Sequence, residues 1–283
     1  MSGQLDVSQS GSLADRQSSP LIDDELLKSA APLLGNLRRL TLWGCTKLTK
    51  SSVYKVLDEA TGIQELSLDI LPHSVSPHPL RAERSLTIQE MMDLSRAPDL
   101  TQLHTLSLSF YSAPCATFAL DTIPTLPNLP NLTSLYLTLS SDKRPLASSS
   151  FTKLLSEIDS ANLKRLSLLN LIISPDQLST ILQTHPKLEE LYITVFSRDT
   201  LLQCHELSGC GLKVFHANAP PELGPTADDL LELARGMAGL DQIGSQNRVY
   251  EIWRSLGDGG EKVVELSRWG RITTPAYFQN LRG

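Results

Sequence analysis

The pattern L-x-x-L-x-L recurs along this chain, and no other feature limits its fold so tightly. Six copies are plain: Leu37, Leu40, Leu42; Ile63, Leu66, Leu68; Leu103, Leu106, Leu108; Leu132, Leu135, Leu137; Leu163, Leu166, Leu168; and Leu188, Leu191, Ile193. Leu212, Phe215, Ala217 is a weaker copy, and Leu240, Ile243, Ser245 a degenerate one. Their first positions are 26, 40, 29, 31, 25, 24 and 28 residues apart. Within L-x-L the side-chain period is two, so both residues face one side of a short strand. The residue three places earlier covers the strand's entry. Such a strand buries its apolar side only against its own return segment and the copies beside it. One copy therefore does not fold alone, whereas a stack does. Each buried leucine contributes roughly 1.5–3 kcal/mol.

The segments between the triplets carry helix-start signals. Ser174-Pro175-Asp176-Gln177 is a capping box with Pro at the first helical position, opening the run Leu178, Ile181, Leu182. Thr87-Ile88-Gln89-Glu90 precedes Met91, Met92 and Leu94 in the same way. Thr226-Ala227-Asp228-Asp229 puts acids on a first turn ahead of Leu230, Leu231 and Leu233. Ser51 or Ser52 is expected to open a helix carrying Val53, Val56 and Leu57, and Phe151, Leu154, Leu155 and Ile158 fit one helical face. Strand then helix, repeated at this period, predicts an α/β chain folded as a leucine-rich-repeat solenoid, with a curved parallel sheet inside and helices outside. Residues 1–19 read as a disordered polar tail, 20–246 as the solenoid, and 247–283 as a C-terminal cap and tail. About 71–86 is expected to be an inserted loop, and Pro124 to Pro130 an extended connection. In the cap, Arg248–Trp253 and Lys262–Leu266 flank the glycine-rich Leu256–Gly260, which predicts a β-hairpin closing the last repeat.

Composition narrows the function. Hydrophobic residues make up 41% of the chain but aromatics only 5%, so leucine supplies the core volume. The formal net charge is −6 and no basic run is longer than Arg38-Arg39, which argues against nucleic acid. No apolar stretch approaches the roughly 20 residues of a membrane span, so no membrane association is expected. The first nineteen residues lack the apolar core of a secretory signal, and Cys45, Cys115, Cys204 and Cys210 have no disulfide-framework spacing. The expected compartment is the cytoplasm or nucleus. Cys204-His205, Cys210 and His216 fit zinc-ligand spacing poorly, so a buried structural thiol and no metal are expected. His73 and His78 are expected to be solvated. Nucleophile-elbow, phosphate-loop and H-E-x-x-H motifs are missing, and the glycines of 257–260 lie between two strands and not before a helix. The chain therefore reads as non-enzymatic and cofactor-free.

The surface expected to carry function is the inner one, formed by strand residues that alternate with the buried leucines. Its candidate partner-binding residues are Arg39, Trp43, Glu65, Asp69, Tyr136, Arg165, Tyr192 and His216. The rings among them stand out in a chain poor in aromatics, and Trp, Tyr and Arg are the favoured anchors of protein interfaces. A protein partner on this concave face is the expectation. The alternative is a solenoid that inhibits or activates a GTPase or another enzyme by enclosing it.

Leu37-Arg-Arg-Leu-Thr-Leu-Trp-Gly-Cys-Thr-Lys-Leu-Thr49 resembles the cysteine-containing class of leucine-rich repeat, with Cys45, Leu48 and Thr49 on its marker positions. The layout over about 33–270 is similar to F-box and leucine-rich-repeat proteins of fungal type. The resemblance implies substrate recognition within an SCF-type ubiquitin ligase, with ligase components as partners. No F-box-like helical module is visible in the residues ahead of the repeats. The sequence accordingly reads as a repeat protein without that module, or as part of a longer one. Asn170, after Leu168, is the residue best placed to take the cysteine's part in its own repeat.

Overall fold

In a computed structural model of the full chain, the residues described are 3–7, 23–42, 48, 50–70, 100–110, 129–139, 144–145, 155, 162–246, 248–257 and 259–269. The fold is α/β, with a mostly parallel sheet and few helices. The chain forms two compact units, one of Met1–Asp142 with Ala147–Asn162, the other of Lys143–Leu146 with Leu163–Gly283. The division falls inside the span 20–246 that the sequence reads as one body.

In the first unit the order is β1 (Gly3–Val7), α1 (Asp24–Ala30), β2 (Leu37–Leu42), α2 (Lys50–Glu59), β3 (Glu65–Ile70), β4 (Thr105–Phe110) and β5 (Ser134–Leu139). Short 3-10 turns at Ala31–Leu33 and Leu100–Gln102 lead into β2 and β4. Each strand pairs in parallel with the next. The register aligns like with like: Leu40, Leu66, Leu106 and Leu135 form one row, and Leu42, Leu68, Leu108 and Leu137 a second. These eight residues, with Leu37, Ile63, Leu103 and Leu132, are at most 4% exposed. One tail residue group departs from expectation. Gly3–Val7, read as disordered, pairs as β1 with β2. The first repeat strand has an open edge of backbone donors and acceptors, and any short extended segment nearby can satisfy it.

In the second unit the order is β6 (Arg144–Pro145), β7 (Arg165–Ile173), α3 (Pro175–Thr184), β8 (Glu190–Val195), α4 (Arg198–Leu202), β9 (Val214–Asn218), α5 (Ala227–Gly236), β10 (Gln242–Ser245), β11 (Arg248–Leu256) and β12 (Lys262–Arg268). Strands β7 to β10 are parallel neighbours, and β6 pairs with β7. Leu166, Leu191, Phe215 and Ile243 share one buried row, and Leu168, Ile193 and Ala217 the next. Where the pattern degenerates, the third position holds Ser245, whose buried hydroxyl has no hydrogen-bond partner. Asn170 adopts φ 62 at a register shift in β7, and its N–H donates to Thr194 Oγ1 at 2.9 Å.

The same backbone link joins successive copies in both units. The carbonyl of Gln64 accepts the amides of His104 and Thr105, and that of His104 accepts Thr133 and Ser134. Lys164 accepts Glu189 and Glu190, Glu189 accepts Lys213 and Val214, and Lys213 accepts Asp241 and Gln242. Each of these carbonyls thus accepts two amides of the next copy, which satisfies the donors at those strand entries.

The helices start as their sequences dictate. Ser174 and Gln177 form a reciprocal capping box on α3, and Thr226 and Asp229 form one on α5. Asp23 caps α1 by accepting from the Leu26 amide at 2.9 Å. Helix α2 begins at Lys50, one residue ahead of the serines expected to open it. Ser52 is instead fully buried and donates to Asp24 Oδ1 at 2.6 Å, tying α2 to α1. Helix α4 and the 3-10 turn His205–Gly209 have no counterpart in the sequence reading. The inserted loop at 71–86, the Thr87–Leu94 helix and the connection at 124–128 lie outside the described residues. So does the 151–158 helix, apart from Leu155, which is helical and buried.

The C-terminal hairpin forms where expected, with β11 antiparallel to both β10 and β12. Its turn closes through Gly257 N–H to Glu261 O at 2.8 Å and Gly260 N–H to Gly257 O at 2.9 Å, with Gly260 at φ 80. Only glycine adopts that backbone without strain. Arg254 fixes the hairpin to α5, donating to the carbonyls of Met237 at 2.8 Å, Leu240 at 2.6 Å and Ala234 at 3.3 Å. A cation is favoured at a helix C-terminus, where carbonyls lack intrahelical partners. Among the described residues, no helix is long and apolar enough to cross a membrane.

Candidate functional site

The strand residues that alternate with the leucines form a second face in each unit, and the two units treat it differently. In the first unit it is polar and half exposed. Arg39 and Glu65 stand in register on β2 and β3 and pair through two contacts, at 2.5 and 2.7 Å. The next row is Thr41, Ser67, Ser107 and Tyr136, each partly exposed. Thr105 lies between Glu65 and the buried Ser134. Asp69 takes its place on β3 opposite Ser109, but its side chain lies outside the described part. Trp43 and Cys45 also lie outside the described residues.

In the second unit the corresponding row runs Ser167, Tyr192, His216, Gly244 and Val249. The sequence expectation placed Tyr192 and His216 on an exposed binding face, and the structure corrects it. Tyr192 is 3% exposed and His216 fully buried. Tyr192 belongs to a buried apolar cluster with Leu169 and Val249, against which Val214 and Trp269 pack. Its hydroxyl donates to Glu190 Oε2 at 3.1 Å, and its ring lies 6.5 Å from that of His216, tilted by 33°. His216 Nε2 and Asn218 Oδ1 are 3.0 Å apart, and the same oxygen accepts the Gln246 amide at 2.8 Å, at the turn that starts the hairpin. A Cβ on Gly244 would stand 2.4 Å from His216 Nδ1 and 2.9 Å from the Arg248 carbonyl oxygen. The imidazole therefore occupies the space that any other residue at 244 would need. Burial lowers the His216 pKa to about 4, so the ring is neutral at physiological pH.

Arg165 is exposed and paired with Glu190 at 2.7 Å, repeating on β7 and β8 the Arg39–Glu65 arrangement of β2 and β3. At the strand entries, Glu189 bridges Lys213 at 3.0 Å and Lys164 at 3.4 Å. The Lys213 hydrogen bond in particular holds the Glu189 carboxyl below its usual range. These cross-strand pairs leave the charged candidates largely satisfied by one another.

The cysteines among the described residues, Cys204 and Cys210, are free thiols. Cys204 is buried, 3.6 Å from Ser179 Oγ and from Glu206 Oε2. Burial raises its thiol pKa and that of Cys210, which disfavours the reactive thiolate. Glu206 accepts from Ser179 at 2.8 Å and Gln183 at 3.1 Å, and the Ser179 bond lowers its pKa. His216 stands on β9 in the buried row, and among the described residues no group of three His, Cys, Asp or Glu could hold a metal ion. His73, His78 and Cys115 lie outside the described residues. Sequence reasoning missed His185. It is 1% exposed at the end of α3, with its pKa lowered by burial and Nδ1 2.8 Å from Thr184 Oγ1. Its Nε2 has no hydrogen-bond partner. Its position, immediately after an apolar helical run, was the only available signal.

No family model matches the chain, and no curated protein matches its sequence.

Proposed function

We propose that this chain is a leucine-rich-repeat solenoid that acts as a non-enzymatic scaffold for binding another protein. One observation carries the reading: β2 to β5 turn a continuous apolar row inward and a registered row of Thr41, Ser67, Ser107 and Tyr136 outward. Short hydroxyl side chains around one aromatic, next to a mutually neutralised Arg–Glu pair, suit a broad surface read by shape and hydrogen bonding. Affinity on such a face comes from few anchors, and Tyr136 is the described aromatic there. The compartment of such a scaffold would be the cytoplasm or nucleus. Its proposed biological setting is target recognition for an SCF-type ubiquitin ligase, supported by the Leu37–Thr49 repeat sequence.

The test is a photo-crosslinking amino acid placed at Ser107, with the same label at Lys55, exposed on α2 of the same unit, as a control. A discrete protein adduct from Ser107 that disappears with Tyr136→Ala is the expected outcome. Equal adducts from both positions, or none from Ser107, would remove the scaffold reading. Co-expression with an SCF adaptor subunit tests the narrower setting, and failure to co-purify sinks the ligase role alone.

A further inference from the structure

The face of the hairpin turned away from α5 carries an exposed indole with two glutamates as neighbours. Side chains alternate along β11. Arg254, reaching the C-terminal carbonyls of α5, fixes one side against that helix. Trp253 therefore projects from the other side, and it is 60% exposed. Glu265 lies directly opposite it on β12. Glu251 stands two residues before it on the same strand and the same face. Directly opposed residues of an antiparallel pair bring their Cβ atoms to about 5 Å, and residues two apart on a strand share a face, so both glutamates neighbour Trp253 on this face. Both glutamates are exposed, and among the described residues neither has an ion-pair partner. Ser255 and Ser267 extend the same face with exposed hydroxyls, and Val263 adds a half-buried aliphatic opposite Ser255.

We propose that Trp253, Glu251 and Glu265 form a docking site for a basic side chain, an arginine or lysine carried by an extended segment of a protein partner. An indole face attracts a cation through its quadrupole, and arginine also stacks on it. Two carboxylates on one side complete the charge, and a guanidinium offers donors to both. The exposed indole offers an open ring face, and its acidic neighbours select a cationic occupant over an apolar one. The site is preorganised: the closed glycine turn and the Arg254 anchor hold the strand pair before any partner arrives. The partner takes hold at the hairpin whether or not it also reaches the hydroxyl row of β2 to β5. The biological sense of the site rests on the scaffold reading, but a defined peptide tests it independently.

The probe is a fluorescein-labelled peptide of alternating Arg and Thr, titrated by anisotropy against the full chain. Controls replace Arg by citrulline or by Glu. The expected result is saturable binding of the Arg peptide that weakens as salt rises, with the citrulline and Glu peptides at least about tenfold weaker. Trp253→Ala, and separately the double variant Glu251→Gln with Glu265→Gln, should each weaken binding about tenfold, whereas Trp253→Phe stays within about threefold. All these positions are exposed, so unchanged circular dichroism and melting temperature are expected and keep the comparison valid. Equal binding of Arg and citrulline peptides, undiminished binding by Trp253→Ala, or no binding of the Arg peptide would overturn the proposal. A concentration-dependent dimer abolished by Trp253→Ala, with no peptide binding, would assign the face to a second copy and overturn it as well. A failed Ser107 crosslink with intact Trp253-dependent peptide binding would end the wider scaffold reading and leave this site standing.

Discussion

The two units bury the same kind of row and expose opposite kinds. Leu40, Leu66, Leu106 and Leu135 in the first unit have their counterpart in Leu166, Leu191, Phe215 and Ile243 in the second, all essentially without solvent contact. On the alternate face, the first unit presents Thr41, Ser67, Ser107 and Tyr136 partly open, while the second closes over Ser167, Tyr192 and His216. The lesson is that strand period settles which side chains point together, but not whether they meet water. In the second unit the face carries rings, a glycine that makes room for one of them, and a hairpin strand in the same row. Such a face packs upon itself. In the first unit it carries short hydroxyls, which remain available.

Truncating the paired tyrosines tests this contrast with the largest effect. Tyr192→Ala removes a buried ring and should cost about 3–5 kcal/mol, whereas Tyr136→Ala should cost less than about 1 kcal/mol. Chemical denaturation checks both, and equal costs would mean the two faces do not differ. The next largest effect is on pH dependence. The unfolded His216 titrates near 6.5 and the folded one near 4, so the unfolded chain binds the extra proton between these values. Its contribution is complete above about pH 6.5 and is lost as pH falls toward 4, roughly 3 kcal/mol in all. His185, also lowered by burial, acts in the same direction. Denaturation curves at pH 7 and pH 4.5 should show the loss, and His216→Asn should reduce it. A His216→Asn curve with the same pH slope would assign the effect elsewhere. The smallest effect sharpens the role of the glycine. Gly244→Ala forces its methyl into the His216 ring and the Arg248 carbonyl and should cost about 1–3 kcal/mol. Ser107→Ala on the open face should stay within about 0.5 kcal/mol. Relief of the Gly244→Ala penalty by adding His216→Ala would identify the imidazole as the obstruction, and its absence would place the clash at the Arg248 carbonyl.

Much of the molecule was legible residue by residue. Every L-x-x-L-x-L triplet, including the degenerate Leu240, Ile243, Ser245, coincides with a strand whose neighbours repeat it in register, because a period-two apolar pair can only be buried on one side. The capping boxes at Ser174 and Thr226 and the glycine-rich turn were equally readable, because their hydrogen bonds close within a few residues. The candidate site was legible only as a set of positions. Arg39 and Arg165 were read as contacts for a partner, yet each stands beside a glutamate exactly one repeat away. That neighbour could have been found by aligning the triplets. The burial of Tyr192 and His216 could not. It depends on the hairpin residue Val249, on Trp269 and on the empty space at Gly244, which lie 28 to 77 residues further along the chain.

Sequence by itself determined the strand positions, the buried rows and the helix starts, because each follows from side-chain period or from hydrogen bonds that close locally. Tertiary structure alone decided which of the outward rows stay wet, which charges neutralise one another, and that Trp253 is left exposed on the same face as Glu251 and Glu265. Solvent exposure is a property of what packs across the sheet, and strands far apart in the chain become neighbours only once the sheet has formed.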